Sequence, residues 1–262
     1  MKRIIFFIFF IIFPIITFAE TLSVSLYVNH DDHVALSRSY KVNWQLLQLA
    51  AKSEGITLIA KEQLWIRGLN AIKEKKVDAL IGGYFSDERE NYSYFSRPFS
   101  LDYLFLYSKN NTHVSLEDIN KQKVILGVTT KSFAEKIANQ VGFRNIYLKS
   151  SSEEVFELLI KDRLDYAIFT ESLANKHCEL KRQKIPNQDC IYPVEPPLIN
   201  KTVHTLYSKI PRVINLAKRI DLAVEKFIVS GEVKKLLLAA NYSEQEYSTW
   251  LKIRHNWINN ID

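Results

Sequence analysis

The stretch Val77-Asp78-Ala79-Leu80-Ile81-Gly82-Gly83-Tyr84-Phe85-Ser86-Asp87-Glu88-Arg89, followed by Phe95-Ser96-Arg97-Pro98, decides how this 262-residue chain is read. The charged run from Lys73 to Lys76 ends a helix, and 77–81 is an apolar run long enough for one buried strand. Gly82-Gly83 then frees the backbone to turn and leaves no side chain at the strand end. Ser86 and Asp87 are good N-cap residues, so a short helix is predicted there, with Arg89 in its first turn. A strand end, a bare turn, a helix N-terminus and a guanidinium together suit an anion, most naturally a carboxylate. A lone arginine otherwise reads as a solvent-facing residue, so its neighbourhood carries the assignment.

Upstream, 22–28 alternates apolar and polar residues as a half-buried strand does, and 29–33 reads as a polar loop at its carboxyl end. Val42, Leu46, Leu49 and Ala50 recur at helical spacing until Gly55, and 56–60 returns as a strand. Trp65, Leu69 and Ile72 mark the helix leading into the opening stretch. This β-α-β-α-β order, with connections too long for hairpins, predicts a parallel, doubly wound sheet.

Downstream, 101–108 is a further strand. A second set repeats the logic. Strand 124–128 leads through Thr129-Thr130-Lys131-Ser132 into a helix ended by Gly142, and strand 146–148 follows. Ser151 and Glu154 read as a capping box, and 165–169 is the next strand. A polar loop carrying the cysteines comes next, and Pro193, Pro196 and Pro197 read as interrupting regular structure. Strand 203–207, an amphipathic helix from Pro211 and a helix over 233–240 follow. The last helix opens on Ser243 and Glu246 and carries the packing aromatics Tyr247, Trp250 and Trp257.

Residues 1–19 stand apart. Lys2-Arg3, an apolar run from Ile4 to Phe18 and Thr17-Phe18-Ala19 form a secretory signal peptide, with cleavage after Ala19 and a periplasmic product. Without Lys2 and Arg3 the chain carries 33 Lys+Arg against 29 Asp+Glu, or +4. That charge is spread out, with no basic block dense enough for nucleic acid. In an oxidising compartment Cys178 and Cys190 are most simply a disulfide, and with His177 alone beside them they fall short of a structural zinc site.

Val77-Asp78, Ser86-Asp87-Glu88-Arg89 and Phe95-Ser96-Arg97-Pro98 together resemble the signature of bacterial extracellular solute-binding proteins of family 3, the amino-acid ABC transporter type. The resemblance covers nearly all of 22–242. It implies an α/β, two-lobed periplasmic-binding-protein type II fold, each lobe a doubly wound, mostly parallel sheet with flanking helices. Lobe 1 would comprise 20–104 and 200–262 with the C-terminal helices, and lobe 2 105–199. A hinge would lie near Asp102-Tyr103 and Pro197-Leu198.

By the same resemblance Arg89 grips a ligand carboxylate. Gly82, Gly83, Tyr84, Trp65, His30, Asp31, Thr130, Ser132, Thr170 and Glu171 would complete the site. His30 and Asp31 also read as turn residues, Trp65 as core and Ser132 as a helix cap. Three positions depart from the amino-acid-binding pattern. Tyr84 stands where a threonine or serine is usual, Lys131 where a glycine is, and Thr170 where an aspartate pairs the ligand ammonium. A neutral threonine does not offset a buried ammonium. The implied function is capture of a small carboxylate-bearing solute by a monomer that docks on a membrane ABC permease. The alternatives are a dehydratase-like enzyme on the same fold, with His30, Glu171 or Lys131 as acid or base, and a ligand-sensing protein.

Overall fold

The computed structural model describes residues 20–111, 114–185 and 190–258. The signal-peptide reading of 1–19 and its cleavage after Ala19 lie outside these residues. The chain runs β1 (Glu20–Tyr27), α1 (His30–Leu36), α2 (Arg38–Ser53), β2 (Ile56–Gln63), α3 (Trp65–Lys73), β3 (Ala79–Tyr84), α4 (Asp87–Glu90), β4 (Ser93–Phe95) and β5 (Ser100–Ser108). It continues through β6 (Ile125–Thr129), α5 (Phe133–Val141), β7 (Asn145–Lys149), α6 (Ser152–Ile160), β8 (Tyr166–Thr170) and α7 (Glu171–Lys184). It closes with β9 (Tyr192–Ser208), α8 (Pro211–Val229), α9 (Glu232–Ala239) and α10 (Glu244–Ile258). No described helix is long and apolar enough to cross a membrane.

The strands lie in the order β2-β1-β3-β9-β5-β8-β6-β7, with β4 beside β9. At one end β1 pairs in parallel with β2 and β3, and at the other β6 pairs in parallel with β7 and β8. Between them β5 and β9 run antiparallel to each other and bridge the two parallel groups. The molecule is thus two-lobed, and β5 and β9 are the crossing strands. Their pairing shifts register between Leu104 and Leu106, close to the expected hinge.

Each lobe has its own core. In the first, α2 lays Val42, Leu46, Leu47 and Ala50 against the sheet and against Val213, Leu216 and Ile220 of α8. Burial of this kind drives folding, and Leu46→Ala at such a site costs about 2–5 kcal/mol. In the second, Leu126, Val128 and Ile168 pack under Ile137 and Ala138 of α5, while Val155, Phe156 and Leu159 of α6 cover the opposite face. Cys178 and Cys190 form the disulfide, with a Cα–Cα distance of 5.6 Å. Closing a loop of that size contributes about 3 kcal/mol in the chain-entropy picture.

Three local expectations are corrected. Residues 29–33 are not a loop, because α1 begins at His30. The polar stretch before the disulfide is also helical: Thr170 caps it by accepting from Leu173 N at 3.1 Å, and neither glycine nor proline occurs in α7. Finally, Pro193, Pro196 and Pro197 lie within β9. There β9 pairs with β5 alone and meets β3 only from Val203 onward, so the missing N–H groups fall on a strand edge.

Candidate functional site

Arg89 is set by the local sequence. Gly82 has φ +78°, where an L side chain is strained, and a Cβ on Gly83 would fall 2.2 Å from Leu206 Cδ1. The Ser86 hydroxyl accepts from Arg89 N at 3.3 Å and opens α4. The guanidinium then turns back under the strand end. Nη1 donates to Tyr84 O at 2.9 Å and Nη2 to Lys131 O at 3.2 Å, across to the second lobe. It lies 5.2 Å from the Trp65 ring centre. Arg89 is 6% exposed, and burial pushes its pKa below the usual arginine value. None of the ion pairs among the described residues includes it.

Arg89 lines a cleft with about 1070 Å³ of empty space, part of it open to solvent. Its walls are the carboxyl ends of parallel strands: Tyr27 at the end of β1 and Val28 after it, Gly82 and Tyr84 on β3, Thr129 on β6, Ser150 after β7 and Thr170 on β8. Open α/β sheets place ligands at these ends. Three helices begin there, capped by Ser132, Ser151 and Thr170, and their N-termini favour negative charge.

Of the residues proposed from sequence, Arg89, Gly82, Tyr84, Trp65, Ser132 and Thr170 line this cleft. Gly83 packs beneath it against Leu206 and Trp65. His30 turns away, its Nδ1 2.9 Å from the Tyr40 hydroxyl and its ring edge-on to Trp44. Asp31 sits in the first turn of α1, outside the lining. Thr130 points its backbone N–H to Lys149 O, and Glu171 is engaged by Arg38 at 2.6 Å. The three departures find roles in the architecture. Tyr84 packs edge-on to Phe133 at 5.6 Å, joining the lobes. Lys131 adopts φ +52° and supplies the carbonyl that Arg89 meets.

Residues missed in sequence build the rest of the wall. His33 of α1 lines the cleft, with Nε2 2.8 Å from Lys176 Nζ, and Lys176 in turn meets Glu153 Oε1 at 3.1 Å. Lys176 is 0% exposed. Burial and then the Lys176 charge push His33 down to about 3. Burial opposes ionisation of Glu153, but His177 and Lys176 hold it down to about 2. Asp102, also in the cleft wall, accepts from Ser39 Oγ at 2.6 Å, Tyr103 N at 2.9 Å and Ser172 N at 3.4 Å. Burial raises its pKa to about 6 against those hydrogen bonds. Arg38 of α2 ties Glu171 of α7 to Glu246 of α10. No group of three or more acids, histidines or cysteines among the described residues is arranged to hold a metal ion.

No protein-family model and no curated protein sequence matches the chain. Solved structures do match in fold. One is the arginine-, lysine-, histidine-binding protein ArtJ from Geobacillus stearothermophilus, with TM-score 0.68 and 18% identity over 83% of this chain and 93% of that one. Another is a histidine kinase sensor domain similar to periplasmic binding proteins, with TM-score 0.65 and 16% identity over 82% and 93%. A third is an ancestral amino acid-binding protein, a precursor of cyclohexadienyl dehydratase, with TM-score 0.64 and 18% identity over 82% and 93%. The chain therefore has the two-lobed type II periplasmic-binding fold of these proteins.

Proposed function

We propose that the protein is an extracytoplasmic solute-binding protein that captures a small carboxylate-bearing molecule between its lobes. The observation that carries this reading is Arg89, a buried guanidinium on the cleft wall with no carboxylate partner among the described residues. A buried charge without a counter-ion is costly, and a bidentate carboxylate offsets that cost. The lobes are 20–104 with 200–262, and 105–199, joined by the two crossing strands. Ligand contacts to both walls favour the closed form. The monomer, exported to the periplasm, hands its solute to a membrane ABC permease. Its work is binding, not catalysis.

A melting-temperature screen against small carboxylic acids tests this reading. At a hundredfold excess over Kd, a ligand adds about 2.7 kcal/mol to the folded state. A screen that moves the melting point for no carboxylate, with wild type and Arg89→Ala indistinguishable, overturns it. Turnover of a stabilising acid by the purified protein would instead make it an enzyme.

A further inference from the structure

We propose that the cleft selects a 2-oxo acid, or a similar carboxylate bearing a second hydrogen-bond acceptor on an apolar body, and rejects the amino acid of the same shape. This deepens the carboxylate-binding reading and rests on it.

The open groups are donors. A guanidinium has five N–H bonds, and Arg89 donates through Nη1 to Tyr84 O and through Nη2 to Lys131 O, which leaves N–H groups for a ligand. Trp65 Nε1 is buried without a protein partner. So is His33 Nδ1, on a ring that is 3% exposed. The tautomer of His33 follows from its neighbour: the Lys176 ammonium only donates, so Nε2 accepts and the ring hydrogen sits on Nδ1. Tyr27 lies between these two donors, its ring centre 5.1 Å from His33 and 5.5 Å from Trp65. Leaving such donors unpaired costs free energy, which a ligand with two acceptor groups recovers.

The carboxylates on and near the wall already accept hydrogen bonds from the protein. Both oxygens of Asp102 are occupied by donors from Ser39, Tyr103 and Ser172. Glu153 accepts from Lys176 through Oε1 and from Ser152 through Oε2. Glu171 is taken by Arg38 and does not line the cleft. Thr170 is neutral, and its hydroxyl already accepts from Leu173 N. Leu104, Ile168, Leu173 and Val203 give the wall apolar surface between its hydroxyl groups. An ammonium placed there loses its hydration and meets only carboxylates that Ser39, Tyr103, Ser172 and Lys176 already hold.

The test is titration calorimetry on the mature protein after unfolding and refolding to strip any carried ligand. The probes are matched sets: 4-methyl-2-oxopentanoate, leucine and 4-methylpentanoate; then phenylpyruvate, phenylalanine and 3-phenylpropanoate. In at least one set the oxo acid should bind at least about tenfold tighter than either companion, the value of one well-made buried hydrogen bond. His33→Phe should bring the oxo acid to within about threefold of the plain acid, both measured on that variant. Two results overturn the inference while sparing the carboxylate-binding reading: leucine or phenylalanine binding as tightly as its oxo acid, or the plain acids doing so. If no member of either set binds, this inference fails, and the wider melting-temperature screen with Arg89→Ala decides the carboxylate-binding reading separately. The wild-type series decides the matter even where the His33 variant does not fold.

Discussion

Two arginines are buried among the described residues, and they have opposite surroundings. Arg254 on α10 is 0% exposed and is enclosed by charge. Its Nε donates to Glu225 Oε1 at 2.9 Å, its Nη1 to Pro98 O at 2.8 Å, and Asp221 Oδ1 lies 3.7 Å from Nη2. Arg97 joins the same cluster through Glu225 and through its backbone N–H on Asp221. Two cations meet two carboxylates there, and the cluster is complete. Arg89 meets two carbonyls and an indole face. Burial pushes both guanidinium pKa values down, but only at Arg254 do carboxylates oppose the push at close range. An arginine that holds a fold together is neutralised from within. One left for a partner keeps its charge facing a cavity.

The sharpest way to break this comparison is Arg254→Ala. It strands Asp221 and Glu225 beside each other, and removal of one member of a buried ionic cluster costs about 3–5 kcal/mol. The melting temperature should fall by about 10 °C with no ligand present. Arg89→Ala should move the ligand-free melting point less than half as far, yet weaken a carboxylate ligand about a hundredfold by calorimetry. If the two variants exchange these phenotypes, the contrast is wrong.

Acid provides the next test. His33 is pushed down to about 3, and burial pushes His177 and His204 down to about 4. A histidine whose folded pKa lies below the unfolded value of about 6.5 loses stability as pH falls through that value. Asp102 and Asp221, raised to about 6 by burial, act the other way, because the folded state takes their protons first. Glu153, held down to about 2, adds a loss only below the unfolded carboxylate range. Three histidines against two aspartates leave a net loss, so the melting temperature should drop by about 5 °C between pH 7 and pH 5. A rise over that interval would mean that the aspartates prevail. The smallest effect belongs to Tyr84→Phe. It removes the hydroxyl but keeps the ring that packs on Phe133 across the lobes, a change of about 1 kcal/mol or less, read as a small shift of the urea midpoint with unchanged slope.

Arg89 was legible because everything that fixes it is local: two glycines, a serine cap and a one-turn helix within eight residues. The parallel strands and amphipathic helices were legible for the same reason, each carrying its own hydrophobic period. His33 was not, because α1 is too short to show a period and was read as a loop. Its partners Lys176 and Glu153 are brought to it only by the closing of one lobe on the other. The α7 helix was hidden by its polarity, although a capping threonine and a run free of breakers were signals to use. The prolines of β9 misled because a strand that is central along half its length is an edge along the other half.

The disulfide has a consequence for motion. It fastens α7, which presents Lys176, Ser172 and Glu171 to the opposite lobe, to the root of β9, one of the two straps on which any opening must bend. Helix and strap therefore swing as one lever, so that unlatching at the rim and flexure at the base become a single event.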